Sequence, residues 1–339
     1  MFVLYTEKNA LDDILFYEEE KYPNWKKILT KNIDICVNIS DDDLEKELAD
    51  SESPLFFFLN AHAGAKQPIA LANYFPTLIE EPSEVLNHPR SAFILDISED
   101  EALQAQKEFG MAVFSSENID DTFFKGGFFK ELNKNNKVDG GWQALIDFEL
   151  PFSNALVISD EYLFQNDEKG NNLGLSNLPN MLDAFLPKYL GVVFHLTIIA
   201  ADAGKSKDWW AKRFGSLKAE IIRLRDYNIN IELVLAKTIH KRRAISNYLN
   251  SWTDKGFSVF KDYDKNKVRD DNDIHIYRIF NNLEDFGDSH YSSSQKGLDE
   301  LKKICSSVSD FVNSGNTASN RMIFGDCNAD KTIKNRLLE

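Results

Sequence analysis

INIELVLAKTIHKRRAISNYLNSWTDKGFSVF, residues 229–260, opens as a strand and breaks into a knot of cations. Ile229, Ile231, Leu233 and Leu235 alternate with Asn230, Glu232, Val234 and Ala236, the period of two that marks a half-buried or largely buried strand. At its end stand His240, Lys241, Arg242 and Arg243. Three full charges and an imidazole in four residues repel one another, so the cluster is tolerable only if it is solvated or faces an anion. Lys241, Arg242 and Arg243 are therefore candidate phosphate-binding residues, and Asn247 joins that set on the pattern described next. The flanking pattern places a buried strand at 191–201, a helix at about 207–227, the strand at 229–238, helix-like or extended sequence in SNYLNSW, and strands at 256–262 and 273–280. The order is that of an α/β unit.

The spacing inside the cluster adds a chemical expectation. His240, Arg242 and Asn247 fall on the H-x-K-x4-D pattern of phospholipase D-type phosphodiesterases, with Arg in place of Lys and Asn in place of Asp. In that chemistry a His attacks phosphorus, a Lys neutralises the phosphate oxygens, and an Asp orients the groups around it. Arg242 retains the ability to hold a phosphate bidentately. Asn247 cannot supply the carboxylate's charge.

The wider run IHKRRAISNYLNSWTDKGFSVF resembles a block in the phospholipase D-like C-terminal domain of MIT-domain proteins and its bacterial relatives. His240, Arg242, Ile245, Asn247, Gly256, Phe257 and Phe260 carry the resemblance; Lys241 departs from it, replacing the usual Asp, and no MIT three-helix module is evident upstream. The resemblance covers the C-terminal part of the chain. It implies a phospholipase D-like fold with a degenerate catalytic set, a domain that binds rather than hydrolyses, and, by way of the bacterial relatives, a place in an anti-phage defence system.

An active phosphodiesterase would need a second His facing His240. His275, in DIHIYRIF, is the better candidate because its strand is short and flanked by acids, and His195 lies inside a buried strand. His240 and His275 are thus the candidate catalytic pair, although a His alternating with Ile274 and Ile276 also fits a sheet residue.

The whole-chain balance limits the partner class. With 339 residues there is room for two domains, and a net charge of −15 argues against a surface built throughout for nucleic acid or anionic lipid. Residues 205–243 nevertheless carry eleven Lys and Arg against four Asp and Glu, a net of +7 that leaves −22 for the remainder. Any anion site is local. Cys36, Cys305 and Cys327 are odd in number and far apart, suggesting neither disulfides nor a zinc site, and no cofactor is implied. The start lacks a basic, apolar leader, and no run approaches the ~18 apolar residues of a span, so a cytoplasmic protein is expected.

The first domain, 1–137, reads as α/β, with strands expected at 2–5, 33–39, 55–59, 92–97 and 111–114 and helices at 41–50 and 99–109. SAFILDIS, a helix and GMAVFSS resemble the rhythm of Rossmann-like, receiver-like and PIN-like domains. Asp96 with Asp34, Asp120 and Asp121 could build a PIN-type metal site, although strand-end Asp residues are ordinarily turn formers and caps. His62 and His88 lack ligand-spaced partners. The amide- and glycine-rich KELNKNNKVDGGW marks a boundary near Val138, and 138–339 is the phospholipase D-like domain.

Two further stretches need a reading. ADAGKSKDWW sets Gly204, Lys205 and Ser206 between strand and helix as a Walker A loop would, but Ile199 occupies the place of its first Gly. Residues 297–313 form an amphipathic helix, a helix is expected at 178–190, and Arg336 near the end could reach the anion site.

Three functions follow. The first and favoured is a non-catalytic phospholipase D-like module binding a phosphate-bearing ligand such as nucleic acid, or a protein partner, through the basic edge, with a homodimer compatible. The second is a metal-independent nuclease or phosphodiesterase using His240. The third is an assembly subunit whose cations pair with acids of its own chain.

Overall fold

The computed structural model describes residues 2–16, 21–31, 33–237, 239, 241–261, 264–281 and 289–339. They form two units, residues 1–125 with 280–291 and residues 126–279 with 292–339. Both are α/β, one on a parallel sheet and one on a mixed sheet.

The first unit runs β1 (Val3–Glu7), α1 (Lys8–Leu15), α2 (Pro23–Leu29), β2 (Asp34–Asn38), α3 (Asp41–Ala49), α4 (Pro54–Ala61), β3 (Ile69–Ala70), α5 (Phe75–Glu80), β4 (Ser91–Leu95), α6 (Glu99–Phe109) and β5 (Ala112–Ser115). Its strands are parallel in the order β3-β2-β1-β4-β5, so the chain winds one way from β1 to β3 and the other way through β4 to β5. The strand expected at 55–59 is instead α4. Ser53 caps it by accepting the Leu55 N–H, Pro54 sits in its first turn, and Leu55 and Phe58 are buried three residues apart while Phe57 points outward. A Ser98/Glu101 capping box and left-handed Gly110 fix the two ends of α6.

The second unit contributes β6 (Gly127–Leu132), α7 (Trp142–Leu145), β7 (Ala155–Asp160), α8 (Leu173–Phe185), β8 (Phe194–Ala200), α9 (Lys207–Ile222), β9 (Ile229–Leu235), β10 (Arg243–Ser246), β11 (Leu249–Thr253), β12 (Asn272–Arg278), α10 (His290–Asn313) from Ser292 onward, and β13 (Met322–Gly325). They build one sheet in the order β13-β9-β8-β7-β10-β11-β12-β6. β7, β8 and β9 are parallel and step the same way, so the crossover helices α8 and α9 share a face. The other pairings are antiparallel.

Alternation sorts the apolar residues into two cores. Leu156, Ile158, Leu196, Ile198, Ile231 and Leu233 pack with α8 and α9. Val157, Ile199, Val234 and Ile245 pack with Leu298, Leu301, Cys305 and Val308 of α10.

Several expectations shift. β6 pairs with β12, which puts residues 127–132 in the second sheet and the division before Gly126 rather than near Val138. The helix expected at 178–190 starts earlier, at Leu173, because Asn172 caps it by accepting the Leu175 N–H, and it stops before Pro187. SNYLNSW is extended: β10 and β11 form a hairpin with Asn247 and Tyr248 at its turn. Of the strand expected at 256–262, the described residues 256–261 make a bridge, Phe260 to Val268. Among the described residues no helix is long and apolar enough to cross a membrane.

Candidate functional site

The basic cluster emerges where the parallel strands end, the edge at which open α/β sheets present their loops for binding. After β9, Ala236 and Ile239 are buried under α10, and the chain then enters β10 at Arg243. The alternation of an extended chain splits the cations. Lys241 and Arg243 turn to the α10 face, where Arg243 stands between Ser159 of β7 and Trp252 of β11 in the cross-strand register. Arg242 turns to the opposite face. His240 lies outside the described residues.

Lys241 and Arg243 share a cavity of about 290 Å³ with Ser159, Ile239 and, from α10, Gly297, Glu300 and Lys303. The Lys241 Nζ stands 3.5 Å from a Glu300 carboxylate oxygen, both side chains about half exposed. The Ser159 hydroxyl donates to the Lys241 carbonyl at 3.0 Å and fixes the backbone there. Arg243 Nη1 donates to the Ser293 carbonyl at 2.6 Å. Gly297 makes room for that guanidinium, since a Cβ in its place would come within 2.7 Å of Nη1. Partial burial lowers the Arg243 pKa and Glu300 opposes the shift; an arginine remains charged regardless. Three cations and one carboxylate leave the cavity at +2.

Arg242 does not join them, which corrects its assignment to the phosphate-binding set. Its guanidinium lies over the Tyr162 ring at 4.9 Å, Nη1 donates to the Asp254 carbonyl at 2.5 Å, and Nε is 4.0 Å from Asp160 Oδ1. Asp160, at the end of β7, is 1% exposed and accepts the backbone N–H of Tyr162 and of Phe257, each at 2.9 Å. Burial raises its pKa, against those two hydrogen bonds and the charges of Arg242 and Arg269. Gly256, φ +97°, passes so close that a Cβ would be 2.5 Å from Asp160 Oδ2.

Asn247 is corrected as well. It is fully buried, its Oδ1 accepts the N–H of Asn154 and Ala155 at 3.0 and 3.1 Å, and its Nδ2 donates to Asn154 Oδ1. Its polar atoms tie the hairpin turn to the start of β7, and a phosphate has no access. Ile245, Phe257 and Phe260 are core residues.

His275 is not in the cavity either. It pairs with Trp252 on β11, the rings stacked at 4.7 Å and 9°, with Phe129 on its other side at 4.7 Å. Two strand spacings, roughly 10 Å, separate it from Arg243. Partial burial lowers its pKa, opposed by Asp273 and Asp254.

Other singled-out residues have structural partners. Arg336 donates to the Val193 carbonyl at 2.9 Å, away from the basic edge. Ser206 caps α9, and Lys205 lies over Trp209, so no phosphate cradle forms. In the first unit Asp34 pairs with Lys66, Asp121 caps α2 through the N–H of Asn24 and Trp25, Asp120 holds the turn at Thr122, and the Asp96 N–H donates to Glu7. These carboxylates do not converge, and among the described residues no group of three or more His, Cys, Asp or Glu could hold a metal. His88 sits between the Tyr5 and Tyr74 hydroxyls at 3.1 and 3.0 Å. His62 ends α4, its ring 5.0 Å from that of Phe58.

Sequence reasoning missed Glu300, Lys303 and Ser159. The two helix residues lie in LDELKKI, whose periodicity signals only an amphipathic helix, and nothing local marks its polar face as cavity wall. Neither models of protein families nor curated protein sequences give a match to this chain.

Proposed function

We propose that this chain is a non-catalytic phospholipase D-like protein that binds a phosphate-bearing ligand, nucleic acid foremost, at the cavity between α10 and the ends of the parallel strands. One observation carries the reading: Lys241, Arg243 and Lys303 converge on a cavity of about 290 Å³ with Glu300 as the one carboxylate among its lining residues. In this reading the mixed-sheet unit is the phospholipase D-like domain. The first unit is Rossmann-like rather than PIN-like, supported by a sheet wound in both directions from β1 and by the dispersal of the PIN-type carboxylates. A role in bacterial anti-phage defence rests on the resemblance alone.

A fluorescence polarisation titration of labelled single- and double-stranded nucleic acid against wild type and Lys241→Ala/Arg243→Ala tests it. Each lost charged contact is expected to weaken binding about tenfold or more, and two lost contacts to flatten the salt slope for single strands by roughly 1.4. Unchanged binding and slope would remove the proposal. Strand cleavage on a gel, lost in His240→Ala, would establish the phosphodiesterase instead.

The second reading, an assembly subunit, is favoured by Arg242. Its contacts with Asp160, Tyr162 and the Asp254 carbonyl are internal. Absence of binding to any strand, with capture of a protein partner, would support that reading.

A further inference from the structure

We infer that the cavity takes a terminal phosphomonoester, the phosphorylated end of a nucleic acid strand, rather than an internal phosphodiester of its backbone. The inference rests on the reading of the cavity as a phosphate site and names which phosphate it holds. Lys241, Arg243 and Lys303 against Glu300 leave +2. A phosphomonoester at pH 7 carries between −1.5 and −2 and three acceptor oxygens, a diester −1 and two. The monoester therefore neutralises the site with an oxygen for each cation, whereas a diester leaves about one positive charge uncompensated.

The size of the cavity points the same way. About 290 Å³ is at the lower limit of ordinary ligand sites, which run from roughly 300 Å³ upward. Ile239 and Leu301 contribute apolar wall, and Gly297 is filled by the Arg243 guanidinium. A terminal phosphate enters with one substituent leaving toward solvent. An internal diester would bring two.

Glu300 acts as a resident competitor. Its carboxylate stands 3.5 Å from Lys241 and opposes any incoming anion. Beside that carboxylate a singly charged diester gains less than a dianion does. Removing the carboxylate therefore tightens binding, a gain that damage to the fold cannot imitate.

The experiment compares one labelled single-stranded oligonucleotide with a 5′-phosphate, a 3′-phosphate or hydroxyls at both ends. Adenosine 5′-monophosphate and adenosine serve as unlabelled competitors. Expected are at least about tenfold tighter binding of a phosphorylated end, loss of that advantage in Lys241→Ala/Lys303→Ala, displacement by adenosine 5′-monophosphate but not adenosine, and severalfold tighter binding of the phosphorylated strand in Glu300→Gln. Equal binding of all three strands, still weakened in Lys241→Ala/Lys303→Ala, would overturn the end-specificity while leaving the phosphate site. Failure of every strand to bind would overturn both.

Discussion

Replacing Gly256 by alanine tests whether the hairpin-bearing block is anchored on the buried carboxylate of Asp160. At φ +97° a non-glycine residue costs about 1–2 kcal/mol in backbone strain. The new Cβ would also lie 2.5 Å from Asp160 Oδ2, inside any real contact distance. Relief requires the carboxylate to swing away, which gives up the 2.9 Å bond from the Phe257 N–H to that same oxygen. A hydrogen bond to a charged group is worth about 1.5–3 kcal/mol, so the whole penalty is roughly 3–5 kcal/mol.

Urea unfolding followed by tryptophan fluorescence reads this in the relevant unit, because Trp142, Trp209, Trp210 and Trp252 all belong to the second unit. For a slope of about 2 kcal/mol/M the midpoint falls by roughly 1.5–2.5 M. The partner is checked by a double-mutant cycle. With Asp160→Ala in the background, Gly256→Ala should cost only the backbone part, about 1–2 kcal/mol, giving a coupling of at least about 1 kcal/mol. A midpoint shift below about 0.5 M, or strict additivity with Asp160→Ala, would refute the steric argument.

Three other outcomes are expected. Asn247→Asp, which restores the acid of the phospholipase D-type pattern, places a charge at a fully buried site and an oxygen against Asn154 Oδ1; it should cost about 2–4 kcal/mol in urea unfolding and create no phosphodiesterase activity in a cleavage assay. Arg242→Ala should leave nucleic-acid affinity within about twofold in the polarisation titration while lowering stability by roughly 1–3 kcal/mol, since Asp160 loses a nearby cation across 4.0 Å and the partly exposed arginine counts for less than a buried one. His195 has its pKa held down to about 4, first by burial and then by Arg336, so the unfolded chain takes up its proton before the folded one does; stability should fall as pH drops from about 6.5 through 4, by on the order of 1–2 kcal/mol after discounting for the ring's partial exposure, and urea midpoints for His195→Gln should lose that part of the slope.

Local patterns carried much of the fold into the sequence. Alternation marked β9 and β12, a continuous apolar run marked β8, and the periodicity of residues 297–313 marked most of α10. The acidic, helix-compatible run 99–109 marked α6. The misread segments are those where a short apolar run fits either period. PLFFFLNA has the composition of a strand, and only the Ser53-Pro54 start and the outward Phe57 tell it from one. β6 was assigned to the first unit because its partner, β12, follows by some 140 residues, and pairing at that range leaves no mark in either segment.

The site was half legible for a related reason. Lys241 and Arg243 were visible as charge, but the sheet face each takes depends on where β10 begins. Ser159 and Arg243 face each other only in the folded register, and Glu300 and Lys303 come from a helix whose polar side gave no sign of facing a cavity.

The geometry separates the motif from the site. Of the residues that give the block its resemblance to phospholipase D-like domains, Asn247 anchors the hairpin turn, Gly256 clears Asp160, Ile245, Phe257 and Phe260 fill the cores, and Arg242 packs on Tyr162. Each of these six has an architectural task that would hold them in place without any ligand. The cavity cations of this stretch flank Arg242, Lys241 where the resembled block carries Asp and Arg243 just beyond, and Lys303 joins them from α10. Set one residue to either side of Arg242, Lys241 and Arg243 stand on the opposite sheet face, against α10. Anion binding there would then owe nothing to the catalytic arrangement, and restoring the pattern's Lys and Asp at 242 and 247 should leave affinity at the cavity unchanged. An Arg242→Lys/Asn247→Asp variant that folds and binds more tightly would show instead that the motif face takes part.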